Sequence, residues 1–221
     1  MTTPPRVVRL AAAALAVLAL AGCGSVKPGI AVDVDGNTLS MSDLDARSAD
    51  YCVIAGAGAQ DQAATATGDA RRAVASSFIV AQLAERAARA EDVTVPRSRS
   101  EVPAAQLAAA REALGADRFA RVRDLLDEQA RTSALVAALG AKEIGFDYAG
   151  STAEEIAGAE QQLLQAGSPV LQTGLEQADV DVDPRLGLNT STLQPTGRTG
   201  SLSVAVSDPA TELPAGQSCT S

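Results

Sequence analysis

Apolar positions recur at helical spacing through most of the middle of the chain. Together with the glycine, proline and capping residues between them, they predict helices over residues 41–55, 70–90, 102–114, 117–139 and 151–167, with a short sixth helix over 168–177. The second helix is almost uncharged from residue 73 to 84, which is typical of a helix buried among others. The sequence therefore predicts a largely helical protein.

The ends of these helices are predicted from local signals. Ser40 with Asp43, and Ser151 with Glu154, have the spacing of N-terminal capping boxes. Glycine is common just beyond the last turn of a helix, so Gly140 and Gly167 are predicted to end the fourth and fifth helices.

Strand-like alternation of apolar and polar residues occurs at both ends of the helical region. Residues 30–34 form one candidate strand before an Asp-Gly turn, and residues 180–182 and 202–206 form two more. The economical arrangement is a small antiparallel sheet that joins the N-terminal strand to the two C-terminal strands. The predicted fold class is mainly α (α+β), with five to six helices.

The first 23 residues have the order of a secretory signal. Arg6 and Arg9 precede an uncharged apolar run over 10–20 that is too short for a stable membrane span. The following residues resemble the lipobox of bacterial lipoproteins: Leu20, Ala21, Gly22 and Cys23. The resemblance implies cleavage after residue 22 and a diacylglycerol on the Cys23 thiol, which would hold the protein on the extracytoplasmic face of the cell membrane. The alternative is an ordinary secreted protein in which Cys23 is incidental.

This interpretation divides the chain into a signal peptide over 1–22, a lipidated tether over 23–29, a folded domain over 30–208 and a tail over 209–221. The whole chain has a formal charge of −9. Removal of the signal peptide takes away two arginines and no acid, which leaves 16 basic and 27 acidic residues and a charge of −11. Such an acidic chain is a poor partner for nucleic acid and for anionic lipid, so membrane attachment is assigned to the covalent lipid.

Two cysteines, Cys52 and Cys219, remain after Cys23 is assigned to the lipid. Disulfides persist in exported proteins, so these two cysteines are predicted to pair and to close a loop of well over a hundred residues. The alternative is two free thiols.

Candidate chemistry is sparse. The chain contains no histidine and no tryptophan, which excludes histidine-based catalysis and argues against zinc sites and aromatic stacking platforms. The alternating aspartates over 33–35 and 179–183 suggest a cation-binding loop. However, neither register that starts at Asp33 or Asp35 puts glycine sixth and glutamate twelfth, as an EF-hand requires. We therefore expect these carboxylates to face solvent, with no catalytic, cofactor or metal site.

The strand-turn-helix entry IAVDVDGNTLS over 30–40 resembles the start of SurA-type and PrsA-type foldase domains, which is followed in those domains by a long apolar helix. The tail VDVDPRLG over 180–187, with Leu202-Ser203-Val204 beyond it, resembles the end of actinobacterial lipoproteins that carry such a domain. The resemblance implies a fold like the SurA and trigger-factor peptide-binding domains. It also implies a chaperone-like module without the parvulin-type isomerase domain, for which no room follows residue 177.

The expected function is therefore non-enzymatic binding of unfolded or extended polypeptides at the membrane surface. One alternative is a structural or assembly lipoprotein with a single protein partner. A transporter-associated solute-binding lipoprotein is a weaker alternative, because such proteins are usually larger.

Overall fold

The structure is a computed structural model that describes residues 27–58, 65–196 and 218–219. The predicted signal peptide, the predicted lipobox with Cys23, and the candidate strand over 202–206 lie outside the described residues. The helices are α1 (Met41–Gly58), α2 (Thr67–Ala90), the single turn α3 (Arg97–Ser100), α4 (Ala104–Leu114), α5 (Ala116–Ile144) and α6 (Ala153–Gln177). The strands are β1 (Ile30–Val34), β2 (Asn37–Ser40) and β3 (Val180–Val182), and a 3-10 turn follows over Pro184–Leu186.

The strands form one antiparallel sheet in the order β2-β1-β3. The mainly helical fold with a small antiparallel sheet is thus confirmed, as is the pairing of the N-terminal strand with a C-terminal one. β2 was not predicted. Asp35 and Gly36 both have positive φ angles, 52° and 88°, which is the backbone of a tight two-residue hairpin turn. The chain therefore returns along β1 for four residues before the first helix begins.

The main core lies between the helix-facing side of this sheet and α2. Val32, Val34 and Val182 from the sheet pack in one buried cluster with Phe78 and Ile79 from α2. The predicted burial of α2 is confirmed, because its uncharged middle carries most of its buried side chains. This is the largest buried hydrophobic cluster in the described part of the chain, and burial of each large aliphatic side chain in it contributes on the order of 2 kcal/mol.

The N-terminal caps of α1 and α6 can be compared with the capping boxes predicted from the sequence. The Ser40 hydroxyl accepts a hydrogen bond of 3.1 Å from the backbone N–H of Asp43, which confirms the predicted start of α1. The capping box of α6 lies one residue later than predicted: Thr152 accepts from the Glu155 N–H, and Glu155 accepts from the Thr152 N–H. The hydrogen bond from the Thr152 N–H to the Glu155 carboxylate lowers the pKa of Glu155 below its ordinary value.

The predicted helix ends at Gly140 and Gly167 are wrong. α5 continues to Ile144 and α6 runs through Gly167 and Pro169 to Gln177. Both glycines lie inside helices where the two backbones touch: a Cβ atom at Gly140 would lie 1.9 Å from the Leu163 carbonyl oxygen. Glycine allows close backbone approach as readily as it ends a helix, and sequence position alone does not distinguish the two uses.

Candidate functional site

A groove of about 830 Å³ lies between the end of α2, the segment that links α2 to α4, and α5. Small-molecule and peptide sites commonly have volumes of this order. The groove is open along one side, and four separate stretches of the chain contribute to its walls. It is the largest of the principal hollows in the described part of the chain.

The linking segment over 91–103 is held against the body at two points. Lys142 donates hydrogen bonds of 2.7 Å to the backbone carbonyl and the carboxylate of Glu91, and Arg99 donates to the carbonyl oxygen of Ser151. Pro96 and Pro103 each stand just before a helix, where a proline fits because its missing N–H would be unsatisfied there anyway. The prolines and the two contacts fix the segment as one wall of the groove.

The floor of the groove is aliphatic. Ala88 from α2 and Leu135 from α5 are buried, and Val93 and Val95 pack half-buried against them. The apolar lining residues are Ala88, Val93, Val95, Val102, Leu107 and Leu135. No aromatic side chain lines it, so the floor suits small aliphatic side chains better than flat rings.

Charged side chains of both signs form the rim. Four arginines and three acids line the groove, and they are arranged as the pairs Arg131–Glu85 at 3.1 Å, Arg89–Glu85 at 3.6 Å, Arg97–Glu101 at 2.7 Å and Arg123–Asp127 at 3.7 Å. Two of these contacts exceed hydrogen-bond length, and all four arginine side chains are more than half exposed. Such exposed pairs contribute little to stability and open at small cost.

The groove stays open because the two ends of α5 are packed differently. Every residue from 134 to 141 is buried, whereas Val122 is the one buried residue from 116 to 133. α4, which packs on that first half, has no buried residue. The groove is therefore built where one long helix leaves the tightly packed body.

Asp33 does not face solvent, contrary to the expectation for the alternating aspartates. Its residue is 5 % exposed, and its carboxylate accepts from the Lys27 ammonium and from the Gly36 N–H at 2.7 Å. The hydrogen bond from Lys27 holds the pKa of Asp33 below its ordinary value of 3.8. Asp35 binds Arg86 at 2.7 Å and accepts from the Asp179 N–H at 3.0 Å, so it joins the hairpin turn to α2 and β3. These carboxylates organise the sheet.

Asp183 is also buried rather than solvated. Arg185 donates to both of its carboxylate oxygens, and this bonding holds the pKa of Asp183 below its ordinary value of 3.8. Asp183 also accepts from the backbone N–H of Arg185, which starts the 3-10 turn after β3. The alternation of valines and aspartates did not indicate the burial of Asp183. The contact with Arg185 forms in the 3-10 turn after β3, where the alternation of the strand has already ended.

Asp183→Asn is expected to lower the free energy of unfolding by about 1–2 kcal/mol at pH 7, because charge-assisted hydrogen bonds are lost. Since the pKa of Asp183 is depressed in the folded state, its contribution is present above pH 3.8 and disappears as the pH falls through the folded pKa. Urea unfolding at neutral pH and at several pH values below 3.8 should therefore show a difference that shrinks as the pH falls.

The matched control is Asp181→Asn, an exposed carboxylate two residues away on β3, which should change stability by less than about 0.5 kcal/mol. Equal effects of the two substitutions at pH 7 would show that the Arg185 contact does not stabilise the fold.

Cys52 and Cys219 lie at disulfide distance, with their Cα atoms 4.9 Å apart. The Cys219 N–H also donates to the Thr65 carbonyl at 2.8 Å, and Ser218 forms a β-bridge with Ala66. The tail thus returns to the junction between α1 and α2, as the predicted pairing requires.

Within the ranges that the structure describes, no group of three or more His, Cys, Asp or Glu side chains is suited to a metal ion. Across the same ranges, no helix is both long enough and apolar enough to cross a membrane. The predicted lipid attachment at Cys23 lies outside these ranges and stays a prediction.

The chain matches no protein-family model, no curated protein and no solved structure. The resemblance to SurA-type domains therefore remains an expectation from short motifs. Any function of the groove is inferred from its geometry alone.

Sequence reasoning named none of the groove residues. The local signal was the pair Val93 and Val95, two apolar residues in the non-helical stretch between α2 and Pro96. Apolar residues in a short link between helices indicate packing against a neighbouring element. Only the tertiary structure shows that α5 is the opposite wall.

Proposed function

We propose that this protein is a lipid-anchored, extracytoplasmic and non-enzymatic module that binds unfolded or extended polypeptides in the groove between α2, the 91–103 segment and α5. The observation that carries the proposal is the groove itself, an open channel with an aliphatic floor and an exposed, charged rim. An extended chain presents side chains alternately to two sides, so one set can enter an apolar floor while the other faces water.

The dimensions of the groove support a short extended segment as the ligand. A volume of about 830 Å³ suits a few residues of chain, and the floor accepts aliphatic side chains of modest size. The rim supplies arginine N–H donors and carboxylate acceptors, which are partners for the backbone amides of an extended ligand. A protein of this kind recognises aliphatic side chains and backbone amides, which many sequences share, rather than one exact sequence.

The absence of histidine from the whole chain supports a non-enzymatic role. The described aspartates with depressed pKa values, Asp33 and Asp183, are bound to Lys27 and Arg185. Carboxylates held ionised by such partners are poor general acids, because proton donation needs a raised pKa. Neither of these two carboxylates is therefore a candidate reacting group, and we assign the groove to binding.

Membrane attachment through Cys23 would keep the groove near the cell surface. Lys27, which binds Asp33 on the sheet, is four residues from Cys23. Four residues of extended chain span roughly 14 Å, so a lipid on Cys23 would hold the sheet close to the headgroups. Polypeptides that emerge at the membrane surface would then meet the protein at high local concentration.

In-cell photocrosslinking tests the proposal. A photoreactive amino acid at Leu107, which is half-buried in the groove, is expected to give adducts with many different exported proteins. The matched control is the same amino acid at Ile144, the exposed large apolar residue of the described chain at 44 % exposure, which does not line the groove. We expect several-fold more adducts from position 107, identified by mass spectrometry.

Equal adduct yields at the two positions, or no adducts at all, would contradict binding in the groove. One dominant adduct at position 107 would instead indicate an assembly protein with a single partner.

The anchor is tested in the same cells: Cys23→Ser should move the protein from the membrane fraction to the soluble fraction, and retention in the membrane would contradict lipidation.

A further inference from the structure

The groove carries a local surplus of positive charge on an otherwise acidic protein. The chain has a net charge of −9, yet the groove is lined by four arginines and three acids. Arg97 and Arg123 each face one carboxylate, whereas Arg89 and Arg131 share Glu85. One positive charge is therefore left over beside Glu85.

This surplus lies beside the buried floor residues Ala88 and Leu135. Glu85 and Arg89 belong to the same helix as Ala88, and Arg131 stands one helical turn from Leu135 on the facing helix. Arg131 and Arg89 contact Glu85 at 3.1 and 3.6 Å and keep 64 % and 68 % of their side chains exposed. Their remaining N–H donors are free to bind a second carboxylate at the groove entrance.

We propose that the groove selects extended segments in which an acidic side chain is flanked by small aliphatic residues, with the ligand carboxylate held between Arg89 and Arg131. This inference rests on the proposed function and names the ligand class. The aliphatic residues occupy the floor at Ala88, Val93 and Leu135. The carboxylate replaces water around two guanidinium groups, which bind carboxylates through paired N–H donors.

The rest of the surface favours the same location. An acidic ligand is repelled by the net negative charge of the protein, so it accumulates only where the local potential is positive. In the groove, the surplus positive charge lies next to buried aliphatic side chains. Charge supplies the selection and the floor supplies contact area.

Three labelled nine-residue peptides test the inference. They share one sequence of valine, alanine and serine and differ only in a central Glu, Gln or Lys. Fluorescence anisotropy with the purified protein at about 50 mM salt should show the Glu peptide binding about five-fold tighter than the Gln peptide, and the Lys peptide binding weakest. At about 500 mM salt the preference for Glu should fall toward one, because screening weakens exposed charge pairs.

The protein variant Arg89→Gln with Arg131→Gln should bind the Glu and Gln peptides equally. The control Arg118→Gln makes the same change of residue type at an exposed position of α5 outside the groove, and should keep the preference for Glu. Melting temperatures of the variants, measured alongside, should stay within a few degrees of the parent protein because all three arginines are exposed.

The outcomes separate the two proposals. If no peptide binds, the proposed polypeptide-binding function is overturned. If all three bind equally, only the acidic selectivity is overturned. If the Glu preference survives in the double variant, the assignment of the ligand carboxylate to Arg89 and Arg131 is overturned. Light scattering that shows a dimer in the parent protein and a monomer in the double variant would make a second copy of this chain the occupant, and would also overturn the inference.

Discussion

Replacing Gly140 by alanine is expected to lower the free energy of unfolding by at least about 3 kcal/mol. The new Cβ would lie 1.9 Å from the Leu163 carbonyl oxygen and 2.7 Å from the Gly167 nitrogen. Both are backbone atoms of α6, so no side chain can rotate away and the two helices must separate. Separation would expose Ala137, Ala141 and Leu163, which pack together at this crossing.

Gly158→Ala is the matched control, because Gly158 lies in α6 and a Cβ there meets nothing within 4 Å. Alanine should stabilise the helix at that position by about 0.5–1 kcal/mol, since glycine loses more conformational freedom on folding. Urea unfolding of the two variants should therefore give shifts of opposite sign. An unchanged midpoint for Gly140→Ala would contradict the close contact of α5 with α6.

Gly167→Ala extends the test from the other helix. Its Cβ would lie 2.3 Å from the Val136 carbonyl oxygen, so a loss similar to that of Gly140→Ala is expected. Because both substitutions push the same two backbones apart, the double variant should lose less than the sum of the single losses.

Replacing both Cys52 and Cys219 by serine is expected to lower the free energy of unfolding by about 2–5 kcal/mol. The two cysteines are 167 residues apart, so the crosslink removes much of the conformational freedom of the unfolded chain. The bond also holds the tail at the junction of α1 and α2, where Cys219 donates to Thr65. The measurement is the melting temperature of the parent and variant proteins with and without reductant.

Reductant should bring the parent protein down to the melting temperature of the double variant and should leave that variant unchanged. Free thiols in the oxidised parent protein would contradict the pairing. The groove provides an internal control: Glu85 and Thr67 are 18 residues apart on α2, roughly 27 Å, so peptide binding should survive removal of the disulfide at temperatures where the variant is folded.

The close contact of α5 with α6 explains why the groove exists. The contact is made by the second half of α5, where small residues let the backbones approach. The first half has larger side chains, Phe119, Leu125 and Leu126, and the structure leaves them half-buried. One helix thus provides a rigid anchor at one end and a binding wall at the other.

Local sequence signals determined the elements well where the cause was local. The spacing of apolar residues predicted the long helices and the burial of α2, Ser40 set the start of α1, and the alternation over 30–34 and 180–182 placed two of the three strands. Each of these features depends on residues within a few positions of one another, so the amino-acid pattern carries the whole cause.

The tertiary structure decided the features whose cause is distant in the chain. The sequence alone predicts that Gly140 and Gly167 end helices. Only the contact of α5 with α6 shows that these glycines instead allow two backbones to approach closely, a use that glycine serves equally well. The burial of Asp33 was also missed, although its partner Lys27 is only six residues away, because the contact depends on the path of the chain before β1 rather than on the alternation within the strand. The groove is built from α2, the linking segment over 91–103, α4 and α5. By itself the sequence determined helical content, the sheet partner at each end and the lack of histidine chemistry. The close helix crossing and the binding surface follow from packing between residues far apart in the chain, which no local pattern encodes.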